Sequence, residues 1–173
     1  MFRKPKKPQR RANKMLNYRQ CAGIILFNRS KQVLLCARND KKSNCWQFPQ
    51  GGINEGESPA AAALRELNEE TSVTSAKVVY SLPEGLCYNF PDAVRRKLLS
   101  RGIVSNGQNM YWNLLFFYGG DSEINLNTAE PEFKSWRWAN IDEAVTEIVA
   151  FKRAVYKKAV HKLKPIMENY QPY

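Results

Sequence analysis

Apolar positions along the chain predict short strands interleaved with a few helices. Cys21–Phe27 (CAGIILF) and Gln32–Ala37 (QVLLCA) are apolar runs separated by Asn28-Arg29-Ser30-Lys31, a pattern that predicts two strands joined as a hairpin. Lys41–Asn44 reads as a polar loop, and Trp46–Pro49 as a short extended segment before the Gly51-Gly52 break. Ser58 is a good N-cap, Pro59 suits the first helical position, and Ala60–Glu70 continues with strong helix formers. The i, i+3, i+4, i+7 spacing puts Ala60, Ala63, Leu64 and Leu67 on one face of that helix. Thr71-Ser72-Val73 ends it, and Lys77–Leu82 predicts the next strand. Residues 83–110 read as irregular, because they carry Pro83, Gly85, Pro91, Gly102 and Gly107. Met110–Tyr118 (MYWNLLFFY) is a strongly apolar strand, Gly119-Gly120-Asp121 turns it, and Phe133–Ala139 (FKSWRWA) is an alternating strand. Ile141–Ile148 and Phe151–Met167 predict two closing helices, the second one basic. Strands alternating with helices indicate an α/β or α+β domain.

Length adds that a chain of 173 residues is one domain, at most two, and buries a real core. No run approaches the ~18 apolar residues of a membrane span. Charge changes the picture more. The net charge of +11 points to nucleic acid, a phosphorylated ligand or an acidic membrane as partner. Residues 1–20 hold eight basic residues and no acid, and residues 150–173 hold six against Glu168. Residues 51–73 run the other way, with five glutamates against Arg65. Residues 1–16 read as a disordered basic arm of the kind that binds nucleic acid. The expected compartment is the cytoplasm, with delivery to an organelle such as the mitochondrion by the Arg-rich N-terminus as the alternative. Among Cys21, Cys36, Cys45 and Cys87 there is no CxxC pair, and His161 is the one histidine. A structural zinc site is therefore not expected, and Cys21 and Cys36 read as buried thiols of a reducing compartment.

The acidic island carries the candidate chemistry. Glu66, Glu69 and Glu70 stand at i, i+3 and i+4 on the predicted helix, which brings their carboxylates to one side, largely opposite the apolar face. Three like charges repel unless a cation sits among them, and Arg65 alone cannot neutralise all three. Hard oxygen donors suit Mg²⁺ or Mn²⁺. An exposed Glu-rich helix face would explain ELNEE by itself; its surroundings decide otherwise.

Gly51, Glu57 and Arg65-Glu66-Leu67-Asn68-Glu69-Glu70-Thr71-Ser72-Val73 resemble the Nudix box, G-x5-E-x7-R-E-U-x-E-E-x-G-U with U apolar. Ser72 departs from the pattern, standing where the box has its last glycine, and is expected to alter the exit turn rather than the ligands. Trp46–Ile53 (WQFPQGGI) resembles the lead-in of one branch of the family, which holds RNA pyrophosphohydrolases and plant-type diadenosine tetraphosphate hydrolases. Tyr18-Arg19 with Gly23, Gly107-Gln108 with Trp112, Glu123–Leu126, Pro131-Glu132-Phe133 with Trp136-Arg137-Trp138, and Phe151-Lys152-Arg153 with Tyr156 resemble further segments of that branch. The similarity covers roughly residues 17–165 and excludes the arm.

The resemblance implies an α/β/α sandwich around a mixed sheet, a single domain over residues 17–168, and a tail at 169–173. It implies a hydrolase that cleaves a phosphoanhydride with more than one divalent ion, Mg²⁺ or Mn²⁺. Glu66, Glu69, Glu70, Glu132 and the Gly51 carbonyl fall on metal-binding positions. The base lies among Glu66, Glu70 and Glu132. Arg65 falls on the arginine that orients the glutamates, and Glu57 and Gly52 on supporting positions. Arg19, Arg38, Phe151 and Lys152 match contacts to phosphate or nucleobase, and Tyr88 either stacks on a base or packs its loop. Gln20 replaces a proline of the branch. Asn109-Met110-Tyr111 replaces a segment with lysines, a contact that the arm or Arg95-Arg96-Lys97 could supply. The implied activity is an RNA 5′-pyrophosphohydrolase with the arm on the RNA backbone. The alternatives are a diadenosine polyphosphate hydrolase and a non-catalytic RNA- or protein-binding module. No membrane partner is expected.

Overall fold

The computed structural model describes residues 18–39 and 45–172. The arm at 1–16 and the polar loop at Lys41–Asn44 lie outside the described residues. In chain order the elements are β1 (Tyr18–Phe27), β2 (Val33–Arg38), β3 (Trp46–Gln47), β4 (Gln50–Gly52), α1 (Pro59–Thr71), β5 (Ala76–Ser81), β6 (Leu86–Asn89), α2 (Asp92–Leu99), β7 (Gly107–Phe117), β8 (Phe133–Ala139), α3 (Glu143–Glu147) and α4 (Arg153–Asn169). Short 3₁₀ turns at Asp121–Glu123 and Ala150–Lys152 complete them.

The sheet is mixed, with the order β3-β2-β1-β7-β5, and β4, β6 and β8 paired to β1, β7 and β2. Its axis is the parallel pair β1 and β7, in register from Tyr18 opposite Gly107 to Phe27 opposite Phe116. Strands covered on both faces read as continuous apolar runs, which is why GIILF and NLLFF lack alternation. Cys21, Ile25 and Phe27 belong to one core with Tyr156, Ala159 and Leu163 of α4. Ala22, Ile24 and Leu26 belong to the other, with Ala62, Ala63 and Leu67 of α1. Helices therefore cover opposite faces of one sheet, the expected α/β/α arrangement.

Two expectations change. The hairpin exists at its turn, where the Asn28 side-chain oxygen accepts from Ser30 and Gln32 N–H at 3.0 and 3.1 Å. Beyond the turn, β1 and β2 are in register only at Phe27 opposite Val33. The two strands then splay: β1 takes β4 and β7, and β2 takes β3 and β8. Residues 83–110 are not irregular, since they form β6, α2 and the start of β7. Glycines and prolines there mark the joints rather than the absence of elements. The tail is docked at least to Tyr170, whose ring lies 5.5 Å from Phe27 and 5.1 Å from Phe116 between centroids.

Candidate active site

The box helix α1 starts as expected. The Ser58 hydroxyl accepts from Ala61 N–H at 3.2 Å, with Pro59 in the first turn. Its buried side is Ala62, Ala63, Leu67, Glu70 and Thr71, not the expected Ala60/Ala63/Leu64/Leu67 face, and Leu64 is exposed. The stripe is rotated because α1 packs against β1 and β4 as well as β5 and β7. That rotation gives the three glutamates different burial. Glu70 is only 5% exposed and Glu66 is half-buried, whereas Glu69 faces outward. Ser72 adopts φ 63° and donates its N–H to Asn68 O. The exit turn thus keeps the left-handed geometry that glycine favours, contrary to the expected alteration.

Arg65 organises the loop before the helix. Nε and one terminal nitrogen clamp both oxygens of Glu57 at 2.8 Å each. The other terminal nitrogen reaches Glu66 at 2.8 Å and Glu69 at 3.1 Å. The Gly52 carbonyl accepts at 2.7 Å. Hydrogen bonds from Arg65, then from Asn54 N–H, pull the Glu57 carboxyl down to about 2. The guanidinium is held well above its ordinary value, first by its bonds to Glu57 and Glu66. A planar fork that satisfies three carboxylates and a carbonyl fits the orienting role.

Gly51 lies in β4 opposite Ala22. A Cβ at Gly51 would stand 1.8 Å from the Glu66 carboxyl carbon, so only glycine lets that carboxylate lie against the strand. Next to it, Glu70 Oε2 accepts from Gln50 N–H at 3.2 Å. Burial, and then the charge of Glu132, push the Glu70 carboxyl up to about 9. Glu132 arrives from the loop before β8, its carbonyl accepting from Asn39 N–H at 2.8 Å. Glu66 thus lies against Gly51 and shares an Arg65 nitrogen with Glu69, while Glu70 lies beside Gln50 and Glu132. Among the described residues no three acidic, histidine or cysteine side chains form a ready ligand cluster. A carboxylate raised this far by burial and a like neighbour lacks a counterion. A divalent cation supplies that charge, so the donor set fits one.

Gln50 links Glu70 to Lys152. Lys152 is 7% exposed, its ammonium donating to Gln50 Oε1 at 3.0 Å and lying 5.8 Å from the Tyr88 ring centroid. Burial first, then the positive charge of Arg38, lower the Lys152 ammonium to about 8. The Tyr88 ring tilts against Phe151 at 6.0 Å and meets Phe90 edge-on at 5.7 Å. Its hydroxyl donates to Gln108. Tyr88 therefore packs against Phe90, Phe151 and Lys152, and the half-buried Phe151 ring is the more open aromatic face. Arg19 lies toward the box: a Cβ at Gly52 would be 2.8 Å from its guanidinium. Arg38 ends β2 on the same side as Lys152. Arg95, Arg96 and Lys97 sit on α2, a helix with no buried residue, where Arg95 pairs with Asp92 at 2.7 Å. Cys21 and Cys36 are buried thiols as expected, and burial chiefly pushes Cys21 up to about 11.

Gln50 and Gln108 were not among the residues anticipated. Gln50 joins the two halves of the site, its backbone N–H on Glu70 and its side chain on Lys152. The available signal was a glutamine directly before the glycine pair. The Asn109 amide donates to Gln20 at 3.0 Å, so the two departures from the branch pattern are partners in the fold.

Residues 17–159 match the NUDIX domain family. The chain is 46% identical to the chloroplastic Nudix hydrolase 26 of Arabidopsis thaliana, over 83% of this chain and 68% of that one. It is 43% identical to an RNA pyrophosphohydrolase of Wolbachia pipientis subsp. Culex pipiens, over 88% of this chain and 93% of that one. Among solved structures, it superposes on an Ap4A hydrolase binary complex from C. elegans with TM-score 0.59 at 18% identity, covering 85% and 98% of the two chains. It also superposes on the E. coli dihydroneopterin triphosphate pyrophosphohydrolase with TM-score 0.60 at 18% identity, covering 84% and 98%. These two likenesses speak for the fold. With the box helix, its arginine clamp and the family match in place, the chain belongs to the Nudix family.

Proposed function

We propose that the protein is a metal-dependent hydrolase that removes pyrophosphate from the 5′ end of triphosphorylated RNA and leaves a 5′-monophosphate. The observation that carries the reading is the junction at Gln50, whose backbone N–H donates to Glu70 and whose side-chain oxygen accepts from Lys152. Support comes from the Wolbachia relative, of which the chain spans 93% and whose name states this activity.

Glu66, Glu70, Glu132 and the Gly51 carbonyl would hold the ions, with Glu69 joining once it leaves Arg65. Bound Mg²⁺ or Mn²⁺ would neutralise phosphate charge and acidify the attacking water. Arg65 fixes the Glu66 carboxylate. Lys152, Arg38 and Arg19 supply cations for the phosphate chain, and Phe151 supplies a face for the first base. Water oxygen bonds to phosphorus as the α–β anhydride bridge breaks. The pyrophosphate departs with the bridging oxygen, and the water proton passes to a carboxylate among Glu66, Glu70 and Glu132.

The test is incubation with Mg²⁺ and 5′-triphosphorylated RNA. The reading expects monophosphorylated RNA and pyrophosphate, and expects Glu70→Gln to abolish both while the protein stays folded. Absence of either product overturns it. A second reading, hydrolysis of diadenosine tetraphosphate, is favoured by Asn109, whose amide is spent on Gln20 where the bacterial branch carries lysines. Turnover of the dinucleotide alone would establish it. No helix among the described residues is long and apolar enough to cross a membrane. We place the protein in the cytoplasm, and fractionation of cells expressing the tagged full chain tests this.

A further inference from the structure

Helix α4 begins at the candidate site: Phe151 and Lys152, whose ammonium donates to Gln50, form the turn that leads into Arg153. Its apolar side, with Val155, Tyr156, Ala159, Val160, Leu163 and Met167, is buried. Its outer side presents Arg153, Lys157, Lys158, His161 and Lys162, all exposed. Arg153 and Lys157 stand at i, i+4, as do Lys158 and Lys162, so like charges face each other along the helix and weaken it. Arg153 also stands in the first turn of α4, where the helix dipole disfavours a cation. Helix stability does not account for the arrangement.

Neighbouring acids do not relieve it. Asp142 pairs with Lys164 at 2.6 Å, and Glu168 lies 4.0 Å from Lys164. Glu143 and Glu147 of α3 are taken by Arg137 at 2.9 and 2.7 Å. Among the described residues no ion pair is formed by Arg153, Lys157, Lys158 or Lys162. A row of uncompensated cations on the helix that starts directly after Lys152 is complementary to a polyanion whose end lies beside Lys152. A membrane-lying helix would need its apolar face free, and that face is the protein core.

We infer that the outer face of α4 is a binding track for the sugar-phosphate backbone of single-stranded RNA, with Lys157, Lys158 and Lys162 as its central contacts. The track rests on the proposed RNA reading of the site and extends it from the 5′ end to the body of the substrate. It makes phosphate contacts and reads no sequence, so its binding is salt-dependent.

The test uses the full chain and the variant Lys157→Gln/Lys158→Gln/Lys162→Gln. A 20-nucleotide single-stranded RNA with a 5′-hydroxyl, which lacks the group the site takes, is titrated at several salt concentrations and read by fluorescence anisotropy. The triple variant is expected to bind at least about tenfold more weakly at low salt, with the slope of log K against log[salt] reduced by about 2, at about 0.7 per phosphate contact on a single strand. Its turnover of diadenosine tetraphosphate is expected to be unchanged. Equal binding and slope for the two proteins would overturn the track, as would binding of both only to phosphatidylserine vesicles. Failure of the wild-type protein to cleave triphosphorylated RNA, with anisotropy as expected, would sink the reading of the site and not the track.

Discussion

Lys152 is a buried ammonium whose value has dropped to about 8 because burial and Arg38 disfavour its charge. It is cationic below that value and neutral above it. An anionic phosphate beside it therefore binds well at neutral pH and loses that attraction as the pH rises through about 8. Calorimetric affinity for a nucleoside 5′-triphosphate is expected to fall about tenfold across that range, one unit of differential protonation being a factor of ten. In Lys152→Met, affinity is expected to be weaker and flat over the same range. Arg65 poses a geometric problem instead. Lysine keeps the charge but cannot span Glu57, Glu66, Glu69 and the Gly52 carbonyl together. Arg65→Lys is expected to lower kcat about a hundredfold with circular dichroism unchanged, as for loss of a positioning group. Glu70→Gln separates metal binding from folding. It replaces a carboxyl that burial and Glu132 already hold near neutral, so the metal-free protein should melt at the same temperature or higher. Mg²⁺ at a hundred times its Kd should stabilise the wild type by about 2.7 kcal/mol, and the variant by far less in the same calorimetric scan.

At the scale of elements, the turn after α1 is fastened from a distance. Glu123, in the 3₁₀ turn after β7, accepts from Thr74 N–H at 2.6 Å, Thr74 Oγ1 at 3.0 Å and Ser75 N–H at 2.8 Å. Burial works against its charge, but these hydrogen bonds prevail and hold the carboxyl below its ordinary value. The stabilisation is thus present above the unfolded-state value of the carboxyl and is lost as the pH falls through the lower folded-state value. Glu123→Ala is expected to cost about 1.5–3 kcal/mol at neutral pH, and the difference from wild type in urea melts should shrink toward pH 3. Much of this architecture was legible in the residue pattern. The box helix announced itself through Ser58, Pro59 and its apolar spacing, and the strands through unbroken apolar runs. What could not be read was set by partners remote in sequence. Neither CAGIILF nor MYWNLLFF states that β1 pairs in parallel with β7 rather than along β2. Helical spacing alone put Glu70 with Glu66 and Glu69, but packing against β4 turned Glu70 inward beside Glu132. Residues 83–110 were masked by their glycines and prolines, although β7 supplies a pairing edge that makes Leu86–Asn89 a strand.

For the whole molecule, the net charge of +11 resolves into parts placed for different tasks. The acidic box is drawn in around Arg65 and Gly51. Lys152 and Arg38 lie near one another beside Gln50, Arg19 lies against Gly52, and the outer face of α4 is basic. Such a layout rewards a substrate with a polyphosphate end and a long anionic body. A small dinucleotide would use the site alone. The most direct measurement is competition: purified full-length protein in Mg²⁺, with 5′-triphosphorylated RNA and diadenosine tetraphosphate in one reaction, and both products followed over time. The account predicts a higher kcat/KM for the RNA, with pyrophosphate released and the RNA preference shrinking as salt is raised. Exclusive turnover of the dinucleotide, or an RNA preference untouched by salt, would contradict it.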